Sequence, residues 1–337
     1  MEGAAEFGRL PSGEAVHRYS IAGGGLMASI LSYGATVQDL RLEGHPHPLV
    51  LGADHLAPYL GPLAYCGGLV GRFSNRIANG QFEIDGRAFQ ADRNENGTHC
   101  LHGGRRGASS RIWALEDLGA DRVVLSLRMA DGDMGFPGNL DVRAAFTLTA
   151  SSGLEIEITA RTDVPTPVSF AHHGYFNLDG SPGISGHLLR IDAPAVLPVD
   201  QDNIPTGEIR KAAGTEFDFR KPREIGGRRL DHNFCIARAP GVLREAAVLN
   251  APQSGLAMRV ETTAPGIQAY TCDHLPPAGV LGLEGRRCGP RAGLALETQA
   301  WPDAPNHRNF PRAVLRPGET YRHLVRYGFR KPGNSSR

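Results

Sequence analysis

Leu154-Glu155-Ile156-Glu157-Ile158-Thr159-Ala160 alternates apolar and polar side chains without a break. Successive side chains of a strand point to opposite faces, so this segment sets one face on a core and the other in water. Upstream, 123–129 and 140–148 have the same character, with breakers at Gly132, Gly135 and Pro137-Gly138 between them. The stretch 122–162 therefore reads as three consecutive antiparallel strands. Outward from it, strands are expected at 14–21, 26–33, 187–192, 256–262, 294–299 and 319–327. The stretch 81–89 reads as a hairpin, because Asp85-Gly86 supplies the positive φ that a two-residue turn needs. Helical periodicity is scarce; 54–60 and 223–230 are each read as a turn or two. The ends, 1–12 and 331–337, are read as frayed.

Composition agrees with an all-β, mainly antiparallel fold. Of 337 residues, 43 are Gly and 24 Pro, which cuts the chain into short segments and argues against a helical bundle. A hydrophobic share of 41% argues against disorder. Basic and acidic residues number 36 and 35, so no global charge calls for nucleic acid or an anionic membrane. The five cysteines are scattered and include no CxxC pair, which fits a reducing compartment. The start, Met1-Glu2-Gly3-Ala4-Ala5-Glu6, has no signal-peptide character, and no apolar run reaches the roughly 20 residues of a membrane helix. A cytoplasmic protein is expected. No linker or repeat divides the chain, and one domain over 1–337 is expected, with its core at about 14–328.

Polar residues gather in six short segments. Gly71-Arg72-Phe73-Ser74-Asn75-Arg76-Ile77-Ala78-Asn79-Gly80 holds two Arg and two Asn, side chains whose planar donors read fixed hydroxyls well; a solvated loop is the competing account. Cys100-Leu101-His102-Gly103-Gly104 follows, then His172-His173-Gly174-Tyr175-Phe176-Asn177-Leu178. By strand alternation His172 and His173 cannot both face one pocket. His99, His102 and a later His form a conceivable zinc set, but no HExxH spacing supports it, and no metal is expected. The last three segments are Leu230-Asp231-His232-Asn233-Phe234, Pro265-Gly266-Ile267-Gln268-Ala269-Tyr270-Thr271 and Leu296-Glu297-Thr298-Gln299-Ala300-Trp301-Pro302-Asp303. Glu297 closes an apolar run; partial burial there would raise its pKa and make it a better base.

In this order the six segments resemble the aldose 1-epimerase (galactose mutarotase) family, over residues 14 to 328. The resemblance implies a large antiparallel β-sandwich of the galactose mutarotase-like supersandwich type, with a sugar cleft on one sheet. It implies anomer interconversion of free aldoses such as D-glucose or D-galactose, with Glu297 as general base and His173 as general acid. His102 would hold the substrate near the ring oxygen, Asn75, Arg76 and Asp231 would bind hydroxyls, and Gln268 would line the cleft. It implies no cofactor, and a small sugar as the partner. His172 stands where the family often has Asn, which leaves the acid role open between His172 and His173. Trp301 and Tyr175 would either stack on the sugar or fill core. Gly67-Gly68, Gly103-Gly104, Gly174 and Gly266 are expected to include positions where backbone approaches the ligand. Two rivals remain: an epimerase of a related sugar or sugar phosphate, with Arg72, Arg105, Arg106 and Arg111 available for the phosphate, and a non-catalytic sugar-binding protein. A monomer or weak dimer is expected.

Overall fold

The computed structural model describes residues 3–331, and among these no helix is longer than a single short turn. Strands of strict alternation form the largest sheet. Its nine strands run in the order Ala114–Leu118, Arg122–Met129, Leu140–Thr149, Gly153–Thr162, Tyr321–Arg330, Ala257–Thr262, Arg244–Asn250, Leu188–Ile191 and Arg223–Glu224. Neighbours are antiparallel throughout, as the 122–162 reading required. Leu154, Ile156 and Ile158 are fully buried, whereas Glu155, Glu157 and Thr159 on the other face are only half-buried.

A six-stranded sheet packs against this inner face. Its order is Tyr175–Phe176, Leu294–Gln299, Gly266–Tyr270, Asp231–Cys235, Ala195–Val196 and Arg210–Lys211. Leu294, Leu296, Ile267 and Phe234 join Ile156, Val260 and Val325 in one core. Both faces of the Leu294–Gln299 strand are covered, so all six residues are buried. A four-stranded meander, Ala4–Arg9, Ala15–Gly23, Leu26–Leu31 and Thr36–Leu42, adds Tyr19, Ile21 and Ile30 to the same core. The hairpin Gln81–Ile84 and Arg87–Gln90 forms as expected, with Asp85 at φ 52° and Gly86 at φ 80°.

Two local expectations change, and one lies beyond the described residues. Within the stretch 1–12, Ala4–Arg9 is not frayed: it pairs with the next strand, and Phe7 packs edge-on to Tyr59. A register shift between Glu6 and Gly8 breaks its alternation, which hides it from a period-of-two reading. The stretch 223–230 is no helical turn; Arg223–Glu224 pairs at the edge of the large sheet instead. The other end, 332–337, lies outside the described residues.

Candidate active site

Strand alternation aims the central residues of the six-stranded sheet. Leu294 and Leu296 point into the core, so Glu297 points to the opposite side. Gln268 lies directly across from Glu297, and Asp231 across from Tyr270 on the same side. That side floors a cleft of about 340 Å³, lined by Tyr65, Asn75, Arg76, His102, His173, Tyr175, Asp231, Tyr270, His274 and Glu297. Six of the seven residues singled out for the site thus line one cavity, and Gln268 is fixed to it through Asp231.

The histidine pair divides as alternation requires. His172 turns into the core, where its Nδ1 meets the Tyr327 hydroxyl at 3.2 Å. His173 turns into the cleft, and its Nε2 lies 3.5 Å from Glu297 Oε1. Both side chains of this pair are almost wholly shielded from solvent. Burial pushes Glu297 up to about 8, with repulsion from Asp231 adding to it and Arg76 opposing it. Burial pushes His173 down to about 3. The pair then holds one proton over the range between, on the carboxyl rather than the imidazole.

His102 is held in one tautomer. Asn75 and His102 both adopt left-handed backbone, φ 60° and 52°, and each bonds the other. The His102 N–H donates to the Asn75 carbonyl at 3.0 Å, and the Asn75 N–H donates to His102 Nδ1 at 3.1 Å. With Nδ1 an acceptor, the neutral ring carries its hydrogen on Nε2. Burial holds the His102 pKa well below the usual range, so the ring stays neutral. His102, His173 and Glu297 place one donor atom each within 4.8 Å of one another, a spacing that suits a metal ion. The fixed tautomer opposes that use, since Nε2 offers a hydrogen and not a lone pair. His99 is turned elsewhere, accepting from the Asn79 N–H through Nδ1.

The hydroxyl-reading groups form a chain. Arg76 grips Glu95 with two N–H groups at 2.9 Å and stands 3.6 Å from Asp231. Gln268 Nε2 donates to Asp231 Oδ1 at 2.6 Å. Burial works against the Arg76 charge, but Asp231 and Glu95 outweigh it and raise its pKa. Arg72 serves elsewhere: wholly buried, it donates to the carbonyls of Pro137 and Gly138 at 2.8 Å. Arg105 pairs with Asp92, Arg111 with Asp133, and Arg106 is exposed away from the lining. The four arginines considered for a phosphate therefore stand outside the cleft, and its own Arg76 is already matched by two carboxylates.

A family model for aldose 1-epimerase matches residues 17–328. The chain belongs to the aldose 1-epimerase family. It is 39% identical to galactose mutarotase of Bos taurus, covering 96% of this chain and 97% of that protein. It is 35% identical to aldose 1-epimerase of Escherichia coli, covering 90% and 92%. A solved aldose epimerase homologue from C. elegans superposes with a TM-score of 0.87 at 31% identity, covering 94% of this chain and 99% of that one. This epimerase is thus an enzyme that interconverts the anomers of aldoses, on the all-β fold of the mutarotases.

Sequence reasoning missed part of the cleft. Tyr270 follows Gln268 by two residues in one strand, so alternation alone puts both on one side. Glu95, Tyr65 and His274 sit in loops without a pattern to expose them. Of the two aromatics left open, Tyr175 lines the cleft, whereas Trp301 is core, stacked edge-on with Phe310 and bonded to the Pro265 carbonyl. The flanking glycines admit protein and not ligand. A Cβ at Gly103 would lie 2.2 Å from the Gly71 carbonyl oxygen, and one at Gly174 would lie 2.4 Å from the His172 ring. Gly61, which no motif marked, is the glycine of the lining.

Proposed function

We propose that Glu297 is the general base and His173 the general acid for anomer interconversion of free aldoses such as D-galactose or D-glucose. In this reading Asn75, Arg76, His102, Asp231 and Gln268 hold the sugar. The observation that carries it is the 3.5 Å approach of His173 Nε2 to Glu297 Oε1 in a cleft whose other polar groups suit hydroxyls. Glu297 takes the proton of the C1 hydroxyl, His173 protonates the ring oxygen, and the C1–O5 bond breaks. The aldehyde turns about C1–C2, and the ring closes on its other face with the two roles reversed. Proton transfer is the whole of this chemistry, so the scheme calls for no metal or redox cofactor. Each transfer by a positioned group contributes about 10²–10⁴-fold.

Proton counting links the mechanism to burial. Ring opening converts carboxylate and imidazolium into carboxyl and imidazole, cancelling two charges in a dry site. Burial favours that direction, as the opposed pKa shifts of the empty pair indicate. The closed sugar needs the charged pair, which the Arg76 guanidinium supports by lowering the Glu297 pKa. The His102 Nε2–H supplies a neutral donor for a sugar oxygen. A free sugar fits this cleft better than a sugar phosphate, because Arg76 has no charge to spare.

Polarimetry of freshly dissolved α-D-galactose is the test. Glu297→Gln should lose most of the activity while still binding sugar, and a near-normal rate would remove Glu297 from the base role. His173→Asn should be equally damaging. His172→Asn should retain activity per folded molecule, though it loses the bond to Tyr327.

We further propose one domain over 1–337, since the site draws on residues from 61 to 297 and the large sheet on residues from 114 to 330. Five buried free cysteines support a reducing, cytoplasmic setting. Scattered exposed apolar residues, Met27, Leu60, Val164, Val242 and Leu281, support a monomer or weak dimer.

A further inference from the structure

Beside Glu297 the cleft-facing layer of the six-stranded sheet contains polar atoms that the protein leaves without partners. Three antiparallel strands meet there. Asn233 lies across from Gln268, and Gln268 across from Glu297. One step along, Gly266 lies across from Gln299. Residues two apart share a face, so Asn233, Gln268, Glu297 and Gln299 belong to one side. All four are at most 3% exposed. Among the described residues, both amide atoms of Asn233, both of Gln299, Gln268 Oε1 and Glu297 Oε2 have no hydrogen-bond partner. No other buried Asn or Gln of the described residues has both amide atoms in this condition.

The glycine shapes this cluster. A Cβ at Gly266 would stand 2.6 Å from Asn233 Oδ1 and 2.9 Å from Trp301 Cδ1. Because Gly266 has none, the Asn233 amide lies across it, toward the strand that carries Gln299. Buried amides are satisfied by water when protein does not reach them, and a buried water needs two to four polar partners of this kind.

We propose that Asn233 and Gln299 are positioning residues for the base: through ordered water they direct N–H donors to Glu297 Oε2. This rests on the reading of Glu297 as base. Donors on Oε2 stabilise the carboxylate and leave Oε1, which faces His173, free for the C1 hydroxyl. The other titratable or charged groups around Glu297 are His173 and His102 in the cleft, Asp231 and Arg76 beside it, Tyr175 on the next strand and Tyr327 across the core. None of them donates a hydrogen bond to Oε2.

The test is the pH profile of Gln299→Met and Asn233→Leu, which keep volume and remove the amides. Losing the donors makes the carboxylate harder to form. The alkaline limb of kcat/KM, where the Glu297–His173 pair loses its one proton, should then move up. Since the reacting form needs the ionised carboxylate, kcat should fall about tenfold for each pH unit the limb moves. KM for D-galactose should stay within about threefold on the same reasoning. Coincident limbs, or a rise in KM with kcat unchanged, would overturn the proposal. If Glu297→Gln remained active, the reading of the base would fail instead, so the two failures are separable. Where a variant does not fold, a high-resolution crystal structure of the wild-type protein decides. Water shared by Asn233, Gln299 and Glu297 Oε2 supports the proposal, and a dry cluster sinks it.

Discussion

At the scale of single residues, the site trades stability for chemistry. A carboxyl whose folded pKa lies near 8, against 4.5 ordinarily, resists ionising in the native state. It is harmless below about pH 4, where it is protonated folded or unfolded. The destabilisation grows from there and is complete above pH 8. Glu297→Gln should therefore melt a few degrees higher than the wild type at pH 9, with the difference closing toward pH 4 in calorimetry. In the roles proposed for them, the same pair sets the activity profile: it must hold one proton for catalysis, and burial places its two titrations at about 3 and about 8. Activity should form a plateau between these limits, falling above about pH 8 as the acid is lost and below about pH 3 as the base is lost. A bell centred near the ordinary carboxylate range would contradict the pairing. That Glu297 and His173 belong to one cleft was legible, because the segments that carry them stand in the family's order and strand alternation separates His173 from His172. The His102 tautomer was not, since it depends on two left-handed residues that bond each other across 27 positions.

At the scale of elements, legibility followed exposure. The Gly153–Thr162 strand has one face in the core and one toward water, and its alternation announces it. Gly266–Tyr270 and Asp231–Cys235 are covered on both sides in their central portions, so their sequences carry no two-residue period. They were noticed for their chemistry and not as strands. The Leu294–Gln299 strand joins both concerns, because Leu296 packs in the core while Glu297 faces the cleft. Leu296→Ala should cost about 2–5 kcal/mol in chemical denaturation, the range for a buried Leu that leaves a cavity. It should also lower kcat, because the backbone that aims Glu297 can relax into the space. An unchanged kcat at that loss of stability would mean that the strand's neighbours hold Glu297 in place without Leu296.

At the scale of the whole molecule, 36 basic and 35 acidic residues balance, and the substrate proposed is uncharged. Association then owes nothing to long-range fields. Between about 0.01 and 0.5 M salt, kcat/KM for D-galactose should change by less than about twofold, although the Debye length falls severalfold. A steep decline would point to a charged substrate and revive the sugar-phosphate reading. Three consecutive strands and the all-β class were legible in the residues and the sandwich in the resemblance, but the strand order within each sheet was not, because pairing between distant segments leaves no local mark. The largest sheet shows it best. Tyr321–Arg330 is inserted between Gly153–Thr162 and Ala257–Thr262, in the interior of the sheet and not at its rim. On the ribosome, the strands on either side of that gap must wait, with unpaired edges, until residue 330 has emerged. A nascent chain stalled before residue 320 would be an open sheet in need of chaperones, and mutarotation would begin only once that strand has emerged and paired.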